Sequence, residues 1–132
     1  MIDQEFNNFW NECMEHGLER IYPRHKYYEA FSRREVNGCG AKGGIDVPDT
    51  IYGMPITTAC NIHDTEWFFA KNYFDLVEAN QRFRRNIEKI IDAYSDNRFM
   101  VFLRMRRLHK YYDAVKLIGT PTYAKEKGFE KV

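Results

Sequence analysis

Residues 60–67 read CNIHDTEW and set a histidine beside a carboxylate, with a cysteine three positions earlier. An imidazole exchanges protons near neutral pH. A carboxylate offers hard oxygen to a cation such as calcium. On a helix the two neighbours project about 100° apart, so His63 and Asp64 cannot serve one face. The spacing places Asp64 at the edge of its helix, and leaves open whether the pair is a catalytic and metal-binding unit or an ordinary His and Asp on a solvated face. A second feature precedes them. Residues 37–55, NGCGAKGGIDVPDTIYGMP, hold five of the eight glycines and two of the four prolines. Glycine at this density breaks helix and frees the backbone. The loop also carries Ile45, Val47, Ile51, Tyr52 and Met54, so it reads as an ordered loop rather than a linker. A carboxylate beside loop carbonyls is a calcium site in outline, with Asp46 and Asp49 as further candidate ligands.

Four helices must position these groups. Ile2, Phe6, Phe9, Trp10, Cys13, Met14, Leu18 and Ile21 recur at helical spacing, weakened at Gly17 and closed by Pro23. A second helix spans about 55–71, with a stripe of Ile56, Cys60, His63 and Trp67. A third spans about 74–94, with Leu76, Ala79, Phe83, Ile87, Ile90, Ile91 and Tyr94 inward. SDN at 95–97 turns the chain into a fourth, which Gly119 and Pro121 end. The last ten or so residues are expected to fray. The short KNY connection at 71–73 makes the second and third helices antiparallel. Reflection about that turn sets His63 opposite Asn80, Cys60 opposite Phe83 and Trp67 opposite Leu76. Two polar residues on apolar stripes thus face each other. They read either as a satisfied core pair or as a base oriented by an amide.

The chain of 132 residues reads as one domain, 1–132, long enough to bury roughly two thirds of its unfolded surface. Its composition, 44% hydrophobic and 30% charged with net charge +1, is globular. Between Gln81 and Lys110 nine Lys or Arg face three Asp or Glu, a local basic region able to meet phosphates or anionic head groups. No apolar run approaches a membrane span. The N-terminus lacks a basic and an apolar signal region, so the chain is expected to start in the cytoplasm and to leave, if at all, by lysis or a dedicated secretion route. Three cysteines allow one bridge.

NGCGAKGG, then CNIHD, then ANQRF on the following helix, in that order over residues 37–91, resembles phospholipase A2, closest to its short, disulfide-poor microbial members. The resemblance implies a mainly α fold. In it an N-terminal amphipathic helix and a Gly-rich calcium loop precede two long antiparallel helices carrying the His/Asn pair. It implies calcium-dependent hydrolysis of the sn-2 ester of glycerophospholipids at a membrane interface. His63 would be the base that activates water, and Asp64 would bind Ca2+ with carbonyls of Gly38, Gly40 and Gly43. The Gly40 N–H and the ion would stabilise the oxyanion. Cys39 and Cys60 match a pair that the family joins by a disulfide. Asn80 stands where the family usually has an aspartate, and Trp67 where it has a tyrosine. CGAKGG has one residue more than the common spacing. Phe6, Phe9 and Trp10 would line a channel for acyl chains, and the basic region would favour anionic membranes.

Other readings compete. One is a catalytically weak or inactive relative. Cys13 with His16 and Cys60 with His63 could form a structural zinc site, which leaves Asp64 and the loop unused. A helical binding module could use the basic face of the third and fourth helices for nucleic acid, a partner not expected here; it predicts salt-sensitive binding with no calcium dependence. An HD phosphohydrolase would need more ligands than His16, His25 and His109 supply.

Overall fold

In the computed structural model, residues 2–39 and 48–130 are described. The chain is mainly helical: α1 (Ile2–His16), α2 (Arg24–Ser32), a hairpin of β1 (Thr50–Ile51) and β2 (Met54–Pro55), α3 (Thr57–Phe69), α4 (Tyr73–Tyr94), α5 (Arg98–Ala114), a π-helical turn (Val115–Gly119) and α6 (Thr120–Lys127). No helix among the described residues is long and apolar enough to cross a membrane.

The first helix is shorter than its apolar spacing predicts. Gly17 takes a left-handed φ of +60°, and Leu18 N–H reaches back to Cys13 O at 3.0 Å. This is a glycine C-cap that satisfies the last carbonyls. Met14 and Ile21, expected inward, are exposed. The chain then forms α2, which the spacing did not reveal: only Tyr27 and Ala30 of its nine residues are buried. This helix covers α1. Phe31 packs on Phe6 and Phe9 with ring centroids 5.4 and 4.8 Å away. Phe6 and Phe9 are therefore core residues, and the acyl channel expected along them is filled.

The central helix, α3, is buried from Thr58 to Trp67 except at Asn61. It runs beside α4, whose start is a reciprocal cap: Asn72 accepts from Asp75 N–H and Asp75 accepts from Lys71 N–H, each at 2.9 Å. Asn97 caps α5 in the same manner, accepting Met100 N–H at 2.9 Å. Leu76, Phe83, Ile87 and Ile91 are buried as the stripe requires, whereas Tyr94 is exposed.

Gly119 and Pro121 do not end the last helix. Gly119 is helical, and the helix widens into the π turn directly before Pro121. The path continues to Lys127, where Gly128 caps it and Phe129 N–H bonds Ala124 O at 2.8 Å. Residues up to Phe129 are thus tied down rather than frayed. Tyr123 and Ala124 join the core.

Candidate functional site

The two antiparallel helices bring His63 and Asn80 together: His63 Nε2 lies 2.6 Å from Asn80 Oδ1. The roles at this contact follow from the bonds behind it. Thr120 Oγ1 donates its one proton to Val115 O at 2.7 Å. It must then accept from Asn80 Nδ2, 2.8 Å away. Asn80 Oδ1 therefore faces the ring and can only accept, so Nε2 carries the proton. The neutral ring keeps its basic lone pair on Nδ1. The imidazole is 8% exposed and packs between Trp67 and Phe83, at 4.6 and 4.9 Å.

Trp67 supports the ring by stacking alone. Among the described residues its buried indole N–H meets no acceptor. Its other face stacks on Tyr123 at 4.7 Å, and Tyr123 Oη donates to Trp67 O at 3.3 Å. Burial, reinforced by the charges of Glu35 and Asp64, pushes the Tyr123 phenol up to about 12. It remains a neutral donor at physiological pH.

Asp64 is buried and borders the loop entrance. Three successive backbone N–H groups there are each held by a side chain. Asn37 N–H donates to Asp64 Oδ2 at 3.1 Å, Gly38 N–H to Asn61 Oδ1 at 2.9 Å, and Cys39 N–H to Asp49 Oδ1 at 3.1 Å. Gly38 needs to be glycine: its φ is +72°, and a Cβ would meet Asp49 Oδ1 at 3.3 Å. Cys39 is disulfide-bonded to Cys60, with Cα atoms 5.1 Å apart. The loop is thus anchored one turn before His63 and again at Asp64.

A cavity of about 320 Å³ is lined by the loop entrance, Asn37, Gly38 and Asn61, and by Ile2, Phe31 and Val36, and its lining includes neither His63 nor Asp64. Its apolar lining comes from Ile2, Phe31 and Val36 rather than from the expected Phe6, Phe9 and Trp10.

The sequence-predicted residues His63, Asn80, Asp64, Gly38, Cys39 and Cys60 therefore converge on one region. Gly40, Gly43 and Asp46 lie outside the described residues. Asp49 spends one carboxylate oxygen on the loop backbone. Among the described residues no three His, Cys, Asp or Glu side chains form a metal-ligating group; a site built largely of carbonyls is not of that kind. A zinc tetrahedron loses a ligand, because Cys60 is in the disulfide. Burial also pushes the Cys13 thiol up to about 12, which keeps it protonated. Thr120, Tyr123 and Asn61 were not foreseen. For Thr120 the one available signal was the burial stripe resuming after a five-residue step from Val115.

A scan against models of protein families found no match to the chain, and searches of curated proteins and of solved structures found no significant match either.

Proposed function

We propose that the protein is a calcium-dependent phospholipase of the A2 type, hydrolysing the sn-2 ester of glycerophospholipids. The observation that carries this reading is the directed pair at 2.6 Å: Asn80 accepts from His63 Nε2, leaving the base on Nδ1. Asp64, the next residue, is anchored against the glycine loop.

His63 Nδ1 would take a proton from water as its oxygen attacks the ester carbonyl. Asn80 Oδ1 holds the Nε2 proton throughout, so the imidazolium keeps its orientation. The ring then returns the first proton to the departing glycerol oxygen. Trp67 and Phe83 exclude bulk water from two sides of the ring. When bound, calcium would act as a Lewis acid towards the ester carbonyl. Asp64 suits a hard cation and would hold it together with carbonyls of Gly38, Gly40 and Gly43. The Cys39–Cys60 bond persists where the surroundings are oxidising, which favours action after release from the cytoplasm.

A second reading, a relative of low turnover, is favoured by Asn80 itself, because a neutral amide stabilises an imidazolium less than a carboxylate does. The test is release of fatty acid from phosphatidylcholine and phosphatidylglycerol vesicles, with calcium or with a chelator. Calcium-dependent release that vanishes in His63→Gln is expected. Release that survives in that variant would remove His63 from the chemistry. A trace that is measurable only at high enzyme concentration, yet still lost in the variant, selects the second reading.

A further inference from the structure

We propose that the exposed face of α5 is a docking surface for an anionic lipid bilayer. Residues 98–112 carry Arg98, Arg104, Arg106, Arg107 and Lys110 and no Asp or Glu. At about 100° per residue, Phe99, Phe102, Arg106 and Lys110 fall on one arc of about 80°, opposite the buried Leu108. The phenylalanines are strongly exposed, at 67% and 56%.

One of these basic residues is spent internally. Arg104 is buried, donating to Ser95 Oγ and to Tyr52 O, each at 3.0 Å. Arg106, Arg107 and Lys110 are different. No carboxylate among the described residues pairs with any of them. They border a depression of about 210 Å³ with Tyr52 and Leu103. Arg107 lies over the Tyr52 ring at 5.1 Å and donates to its hydroxyl at 3.1 Å, so this side of the depression is fixed in place. Arg106 lies over Phe102 at 5.7 Å. The first carboxylate on the arc is Asp113, beyond Lys110.

This face therefore sets two insertable rings beside the three cations that border the hollow, over about 16 Å of helix. Phenylalanines that enter the acyl boundary while arginines and lysine meet lipid phosphate are the chemistry of an interfacial helix. A single-stranded nucleic acid is tracked along a groove, which this outward ridge does not provide, and a helix that reads a duplex presents polar side chains to the base edges, where this one presents two phenylalanines. This inference does not rest on the hydrolytic reading: α5 alone carries it, and binding can be measured without calcium.

The experiment is cosedimentation of the full chain with phosphatidylcholine vesicles and with vesicles containing one third phosphatidylglycerol, in chelator. Partitioning at least about tenfold stronger onto the anionic vesicles is expected, because each cation near such a surface contributes about fivefold. Arg106→Glu with Lys110→Glu should abolish the preference. Phe99→Ala with Phe102→Ala should weaken partitioning onto both vesicle types by about tenfold. A Phe102→Trp variant keeps an aromatic ring there, and its added indole fluorescence should be quenched by brominated lipid. Equal partitioning of the native chain onto both vesicle types would overturn the proposal. So would an indole left unquenched in the Phe102→Trp variant, or binding to a single-stranded oligonucleotide but not to vesicles.

Discussion

The hydroxyl of Thr120 lies 2.8 Å from Asn80 Nδ2, forty residues away in the chain, and it decides which way the Asn80 amide faces. The π-helical turn before Thr120 brings the hydroxyl there, because its own proton closes onto Val115 O across that turn. A wide turn that aims one side chain is a recurring device at functional sites. The order runs from Val115 O through Thr120 and Asn80 to His63 Nε2, and it sets the basic nitrogen.

Thr120→Val should break this order while keeping the side chain's shape. The Asn80 amide loses its acceptor, at a cost of about 1–3 kcal/mol in stability. It can recover a partner by turning its NH2 towards His63, which moves the ring proton to Nδ1. Nitrogen NMR of His63 should report that tautomer change, and vesicle hydrolysis should drop by about 100-fold. Thr120→Ser should retain both. An unchanged His63 tautomer in Thr120→Val would refute the assigned order even if no hydrolysis is ever seen.

The helix pair was legible because its cues are local. A three-residue connection, the SDN turn at 95–97 and 3.6-residue stripes fix the register in which His63 meets Asn80. α2 was not legible. Its buried side is two residues, Tyr27 and Ala30, and its other residues are mostly polar, so no stripe forms. The end of the last helix was misread for another reason. Gly119 and Pro121 are helix breakers by propensity, but the π turn accommodates them and shifts the stripe by one residue. Thr120, the residue that orients Asn80, was hidden by that shift. The acyl channel expected on α1 failed with α2, since the rings it needed are covered by Tyr27 and Phe31.

Asp64→Asn should separate loop anchoring from metal binding. Asparagine keeps an oxygen that can accept Asn37 N–H, so the anchor at 3.1 Å survives and thermal stability should change little. The negative charge is gone, and a hard cation loses its one charged ligand. Isothermal titration should show calcium affinity reduced at least about tenfold. Equal affinity in the variant would place the ion away from Asp64.

Opening the disulfide should destabilise the chain measurably. Cys39 and Cys60 are 21 residues apart, and closing a loop of this size restrains the unfolded chain by about 3 kcal/mol. For a domain of this length that is about 10 °C in midpoint. Thermal unfolding of Cys39→Ser with Cys60→Ser should show that fall. Reductant should produce it in the native chain and leave the double variant unaffected. A shift under about 2 °C would mean that the bond does not restrain the unfolded chain.

Glu66 should give the stability a slope with pH. It lies one turn after His63, 2% exposed, bonded to Arg82 Nε at 2.7 Å and to Tyr27 Oη at 3.4 Å. Burial pushes its carboxyl up to about 7, against the pull of Arg82. An unfolded glutamate titrates near about 4.3. Between these values the folded chain holds a proton that the unfolded chain has released, so stability falls as pH rises. The contribution is complete below about 4.3 and is lost as pH passes through about 7. Glu66→Gln cannot titrate, and its midpoint should lack that part of the slope between pH 5 and 7.5. Above about pH 7 the variant also leaves Arg82 without a charged partner, so the difference in slope between pH 5 and 7.5, and not the absolute midpoint, is the measurement. Parallel curves for the two proteins would show that Glu66 is ionised across the whole range and that the ion pair with Arg82 outweighs burial.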